Sequence, residues 1–303
     1  MPRATTSTRV RSPSRTAALT LTLALGALVA GCSGGAGDEE GTAATGAVPV
    51  TVSIAPQAAF VEAIGGDHVD VTVMVPSGSE PATYEPTAQQ VAALSESEVY
   101  FSIDVPFERA WLPRFREAAG DLEVVDTTAG VDREELDGGQ PDPHIWLAPD
   151  LVEEQAQAYA DALAEVDPEN AEDYEQGLAD FTGTVEEVDA ELGEELAPYA
   201  GESFMIFHPV LDYFAEEYDL QPINIEAGGD EPSASDLRRL VEAGREAGVS
   251  AVLVEPQFSQ TSARTIADQL GVPVEEVDPL SQDWASNMRD IGDTLAGALE
   301  QGA

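Results

Sequence analysis

Between residues 168 and 196 the chain carries one long apolar stripe, and its fold must be built around it. Apolar residues recur at Ala171, Tyr174, Leu178, Phe181, Val185, Val188, Leu192 and Leu196, in steps of 3, 4, 3, 4, 3, 4 and 4. That spacing keeps them on one face of an α-helix. Asp167 before Pro168 and Glu169 reads as a helix start. An acceptor side chain sits at the cap, a proline at the first helical position and an acid at the positive end of the dipole. About 29 residues at 1.5 Å each would span about 43 Å, enough to run the length of a two-lobed molecule. A stripe of this kind is packing surface, not a cofactor site.

Strand signals lie on both sides of it. Short β-branched or apolar runs at 48–54, 69–75, 99–103 and 122–125 precede the stripe, and runs at 204–207, 222–225, 251–254 and 274–277 follow it. Helical stretches intervene at 56–64 and 87–94, then at 211–218, 233–247, 262–270 and 284–299. Strands alternating with helices predict mostly parallel sheets flanked by helices. The expected fold class is α/β, with two β/α lobes joined by one long backbone helix. The expected divisions are an N-terminal lobe over 48–148, connecting helices over 149–200 and a C-terminal lobe over 201–303. The architecture looks duplicated, although no sequence repeat links the halves.

The first 47 residues have a different composition. Arg3, Arg9, Arg11 and Arg15, with no acid among them, precede an apolar run over 17–30 and then Gly31-Cys32. A basic start, a short apolar run and small residues at the cut mark a secretory signal. About 14 apolar residues fall short of the roughly 20 that a spanning helix needs. A small-residue pair before Cys resembles a lipoprotein signal, which would make Cys32 the lipidated first residue of the mature chain. An ordinary signal peptide with an incidental Cys, or an uncleaved anchor, is the alternative. The Gly-, Ala- and acid-rich stretch over 32–47 reads as a flexible tether. The expected location is extracytoplasmic, anchored to a membrane face. As Cys32 is the only cysteine, no internal disulfide is available.

Charge excludes one class of partner. Past residue 31 the chain holds nine arginines, no lysine and 58 acids. Such a surface repels nucleic acid and anionic lipid. Acids spread along the whole chain describe a solvated surface of the halophilic type, where salt screens charge over a few ångströms.

Candidate chemistry lies at the strand ends, because open α/β sheets bind ligands beyond the carboxyl ends of their strands. In the second half those ends are His208, Glu226, Glu255 and Asp278, and His144 arrives from the first half in Pro141-Asp142-Pro143-His144-Ile145-Trp146. Imidazole with carboxylate suits zinc, iron or manganese better than calcium. Each residue has a structural alternative. His68 sits in a turn before a strand, Asp278 could cap a helix and Glu255 could pair with an arginine.

Six segments occur in a telling order. They are Pro81-Ala82-Thr83-Tyr84-Glu85-Pro86-Thr87, Asp142-Pro143-His144-Ile145-Trp146-Leu147, Phe207-His208-Pro209, Glu231-Pro232-Ser233, Glu255-Pro256-Gln257-Phe258 and Val277-Asp278-Pro279-Leu280. Over about residues 48–300 the chain resembles the zinc- and manganese-binding receptor lipoproteins of ABC importers, the cluster 9 or TroA-like family. The resemblance implies capture of a divalent metal ion, zinc or manganese with iron a third candidate, in the cleft between lobes. It also implies delivery to a membrane permease driven by an ATPase. It assigns the ligand roles to His144, His208 and Asp278. Beside that set, Glu85, Glu226 and Glu255 are candidate further ligands or supports. One ligand does not carry over, since Ala82 stands where the family usually has a histidine. The histidine-rich loop usually found before Asp-Pro-His is also missing, with no His between Val131 and Asp142. Glu80, Glu85 or Glu226 could fill the gap left at Ala82.

Other function classes fit less well. Two histidines and a carboxylate with an open position could activate water or oxygen. The chain nevertheless lacks a His-Glu-x-x-His pair, a Gly-x-Ser-x-Gly turn and any lysine for a phosphate loop. A non-enzyme is expected. A receptor for another small ligand, or an adhesin on the same fold, are the remaining alternatives.

Overall fold

The computed structural model describes residues 46–301 except 121, 137, 138 and 230. The signal segment, Cys32 and nearly all of the expected tether lie outside the described residues.

The first half lays down β1 (Val48–Val52), α1 (Ala55–Gly65), β2 (Val69–Val73), α2 (Ala88–Ala93), β3 (Val99–Ser102), α3 (Pro106–Ala118) and β4 (Glu123–Asp126). Two long helices follow, α4 (Pro149–Val166) and α5 (Ala171–Leu196). The second half holds β5 (Ser203–Ile206), α6 (Asp212–Glu217), β6 (Gln221–Asn224), α7 (Ala234–Ala247), β7 (Val252–Val254), α8 (Thr261–Leu270), β8 (Val274–Glu276) and α9 (Trp284–Glu300). The four-stranded sheets have the orders β2-β1-β3-β4 and β6-β5-β7-β8, and every pairing is parallel. The expected α/β class, with two parallel-sheet lobes and a long helix between them, is the observed one.

Each expected strand forms, within a residue or two of its predicted ends. The exception among the elements is α3, whose sequence Pro-Phe-Glu-Arg-Ala-Trp-Leu-Pro-Arg-Phe-Arg-Glu-Ala gives no clean stripe. Pro113 lies inside it and has no N–H for the helical ladder. The helix tolerates it because Pro113 is exposed and Phe107 and Phe115 bury the opposite face. The start of the long helix also differs from expectation. A 3₁₀ turn over Pro168–Asn170 precedes α5, and the Asp167 side chain caps neither. Its Oδ2 instead accepts from Asn170 Nδ2 at 2.6 Å and from the Tyr174 hydroxyl at 2.8 Å.

The stripe packs as its spacing requires. Tyr174, Phe181, Val185, Val188, Leu192 and Leu196 are all buried. Gly177 lets α1 approach, because a Cβ there would run into the Ile64 carbonyl. Phe60 of α1 is the hub, with its ring 5.3 Å from Phe181 and 5.6 Å from Trp284 of α9. One apolar core therefore runs from the first sheet through α4 and α5 to Phe204 and Ile206 of the second sheet. The alternate residues, Met205 of β5 and Phe207 just past its end, face a smaller core under α7 and α8. That split is the two-residue period of a strand.

Two indoles tie the halves together. Trp146 Nε1 donates to the Pro279 carbonyl at 2.8 Å, and Trp284 Nε1 donates to the Trp146 carbonyl at 2.7 Å. Two of the segments shared with the resembled family turn out to be helix starts. Thr87 with Gln90 and Ser233 with Asp236 form reciprocal capping boxes on α2 and α7. Among the described residues, no helix is long and apolar enough to cross a membrane.

Candidate metal-binding cleft

All four parallel strands of the second sheet deliver a polar residue one or two positions past their ends. His208 follows β5, Glu226 follows β6, Glu255 follows β7 and Asp278 follows β8. From the first half, His144 opens a 3₁₀ turn over Ile145–Leu147. The His144 and His208 rings meet edge to face with centroids 5.2 Å apart. Both line one cavity of about 90 Å³.

Each imidazole is held by a buried carboxylate. The His144 backbone N–H donates to Asp142 Oδ1 at 3.0 Å, and ring Nδ1 lies 2.6 Å from the same oxygen. The second contact lacks the alignment of a hydrogen bond. The ring also lies edge-on to Trp146, 5.3 Å between centroids. His208 Nδ1 pairs with Glu226 Oε2 at 2.9 Å, its backbone N–H donates to Glu255 Oε1 at 3.2 Å, and Phe258 stacks on the ring at 4.7 Å. A carboxylate on Nδ1 favours the proton there and leaves the Nε2 lone pair for a metal.

Sequence reasoning placed Glu226 and Glu255 as ligands or supports; in the structure Glu226 pairs with the His208 ring and Glu255 accepts from the His208 backbone N–H. Glu226 is 6% exposed and Glu255 fully buried. Burial pushes the Glu255 carboxyl up to about 8, opposed by the backbone N–H of His208. No arginine pairs with Glu255 among the described residues. Asp142 and Phe258, which the structure sets against the two histidines, stood out in the sequence only as members of the segments around His144 and Glu255.

Asp278 stands one step from the histidines. Its Oδ1 accepts from Gln257 Nε2 at 2.7 Å and from the Leu280 backbone N–H at 3.1 Å. Gln257 lines the histidine cavity, whereas Asp278 lines an adjoining one with Asn287 and Asp290. Glu85 is exposed and outside the cavity. His68 pairs with Asp173 at 3.1 Å, also away from the cavity. Glu80, Pro81 and Ala82 form part of the cavity wall.

Among the described residues, the one group of His, Cys, Asp or Glu with ligand atoms all within 4.8 Å of one another is Asp150, Asp189 and Glu217. It sits where α4, α5 and α6 meet. Burial pushes Glu217 up to about 8, so this group holds a proton near neutrality.

Two parallel-sheet lobes, a long helix joining them and paired imidazoles between them define a two-lobed, cleft-binding receptor architecture. The chain belongs to the ZnuA family, described as zinc-uptake complex component A, periplasmic, whose match covers residues 50–298. It is 25% identical over 255 residues to the zinc-binding lipoprotein AdcA of Streptococcus pneumoniae, covering 78% of this chain. It spans only about half, 51%, of that relative's length. It is 27% identical over 255 residues to the manganese-binding lipoprotein MntA of Halalkalibacterium halodurans, covering 82% of this chain and 83% of the relative. A crystal structure of ZnuA superposes with a TM-score of 0.81 at 43% identity, covering 84% of this chain and 99% of the other. Both of these curated relatives are named for metal binding, one for zinc and one for manganese.

Proposed function

We propose that this chain is the extracytoplasmic substrate-binding lipoprotein of an ABC importer. It captures one divalent transition-metal ion, zinc or manganese, in the cleft between its lobes and passes it to a permease powered by an ATPase. Iron suits the same donors. His144 and His208 bind through Nε2, and Asp278 supplies a carboxylate once it releases Gln257. Binding is reversible and no bond of a substrate is broken, so the protein is not an enzyme. Lipid on Cys32 keeps the receptor at the membrane that holds its permease.

The observation that carries this reading is the pair of imidazoles 5.2 Å apart, each with Nδ1 against a buried carboxylate. An imidazole oriented by a carboxylate at one ring nitrogen is the arrangement that metal-ligating histidines show. The family match and the zinc and manganese relatives support the same cargo. The test is metal content and competitive titration of the purified chain with Zn²⁺ and Mn²⁺. One tightly bound ion per chain is expected. No stoichiometric binding, and no thermal stabilisation by zinc, manganese or iron, would overturn the receptor reading.

A further inference from the structure

The first lobe meets the ion cleft with a wall that is nearly all hydrocarbon. Pro81, Ala82, Val105 and Pro106 face the cavity shared by His144 and His208, and Leu136 and Pro143 close its side. Not one of these side chains carries a lone pair. Two imidazoles and Asp278 make three donors, and a bound zinc ion takes about four.

One carboxylate interrupts that wall. Glu80 lines the cavity beside Ala82 and is half-buried. Its Oε2 accepts from the Thr83 hydroxyl at 2.9 Å, and its Oε1 is uncommitted among the described residues. The loop that carries it is fixed. The Tyr84 hydroxyl donates to Gln90 Oε1 at 2.8 Å, and Gln90 Nε2 donates to the Met74 carbonyl at 2.7 Å. The two other carboxylates that the sequence leaves open for this role are otherwise placed. Glu85 is exposed outside the cavity, and Glu226 is engaged with His208 Nδ1.

We infer that Glu80 is the first-lobe donor to the ion, an inference that rests on the metal-receptor reading above. The donor set is then two imidazoles and two carboxylates. Replacing a nitrogen donor with carboxylate oxygen favours harder ions, so the site discriminates less strongly for zinc over manganese than one with a third imidazole. Glu80 thereby sets the metal preference as well as the affinity.

The experiment is competitive titration of the full chain with Zn²⁺ and Mn²⁺, with Co²⁺ absorption as a direct report on ligands. Glu80→Gln is expected to weaken both ions by roughly 10-fold or more and to change the Co²⁺ spectrum. Glu85→Gln should do neither. Ala82→His should raise zinc relative to manganese and make a further Glu80→Gln change nearly silent. Circular dichroism and melting of each variant show that it is folded. If Glu80→Gln binds both ions like the parent and keeps its Co²⁺ spectrum while His208→Ala loses binding, Glu80 is not a donor and the receptor reading stands. If the parent chain binds none of the three ions, the receptor reading falls and this assignment falls with it.

Discussion

The two sheets share one strand order and put their strand ends to opposite uses. Just past β5, β6, β7 and β8 stand His208, Glu226, Glu255 and Asp278. At the matching places past β1, β2, β3 and β4 stand Ile54, Val75, Ile103 and Thr128, all between 0% and 3% exposed. The second lobe places imidazole and carboxylate side chains at its strand ends. The first spends them on packing, and its own contributions to the cleft, His144 and the loop of Glu80, come from longer connections. Polar groups at the first-lobe ends turn inward. Glu108 accepts from the Ile103 and Asp104 backbone N–H groups at 3.0 and 2.8 Å and from the Ser53 hydroxyl, which also meets Tyr100. Topology therefore fixes where a site can be, and side chains decide which lobe builds it.

The sharpest way to break this contrast is to truncate equivalent positions. His208→Ala should weaken metal binding by more than about 100-fold, since even a supporting residue costs about 10–100-fold, and leave the fold intact. Ile54→Ala should do the reverse. It should cost about 2–5 kcal/mol of stability through the cavity it leaves and leave the affinity of folded protein nearly unchanged. Chemical denaturation and metal titration of the two variants read both effects. Equal losses of affinity would erase the distinction between the lobes.

Glu226→Gln tests the support role at smaller scale. It keeps the shape and removes the charge on His208 Nδ1, so affinity should fall about 10–100-fold without loss of the site. Trp146→Phe should cost about 1 kcal/mol of stability by deleting the bond to Pro279, seen as a lower denaturation midpoint.

The gentlest test uses pH. Burial pushes the Glu108 carboxyl up to about 7, opposed by its hydrogen bonds to Ser53, Ile103 and Asp104. In the unfolded chain it titrates near 4.5, so between these values the folded form holds a proton that the unfolded form has lost. Stability must then fall as pH rises across that window and level off above about 7, with at most about 1.4 kcal/mol per pH unit from this group. Glu217 has the same sign up to about 8. Denaturation of the metal-free protein at pH 5 and pH 8 should show the loss, and Glu108→Gln should make it shallower.

Much of the fold was legible because its signals are local. The stripe from Tyr174 to Leu196 and the eight short β-branched runs announce themselves within windows of a few residues. Helix α3 was not legible, because Pro113 breaks the pattern and only burial of Phe107 and Phe115 against the sheet overrides it. The cap expected at Asp167 failed for a related reason. Tyr174 and Asn170 offered its carboxylate better donors than the helix N-terminus did.

The candidate site divides along the same line. Sequence alone marked His144, His208 and Asp278, and set Ala82 at a place where a donor was expected. It also determined the α/β class, the long helix and the acidic, lysine-free surface, since these follow from residue type and spacing. Only the tertiary structure decided which carboxylates back the imidazoles and which one faces the cleft. Glu226 reaches a histidine 18 residues away in sequence, and Glu80 faces a cavity built from both halves. Such pairings depend on the distance between chain segments after packing, and the spacing of residues along the chain carries no record of it.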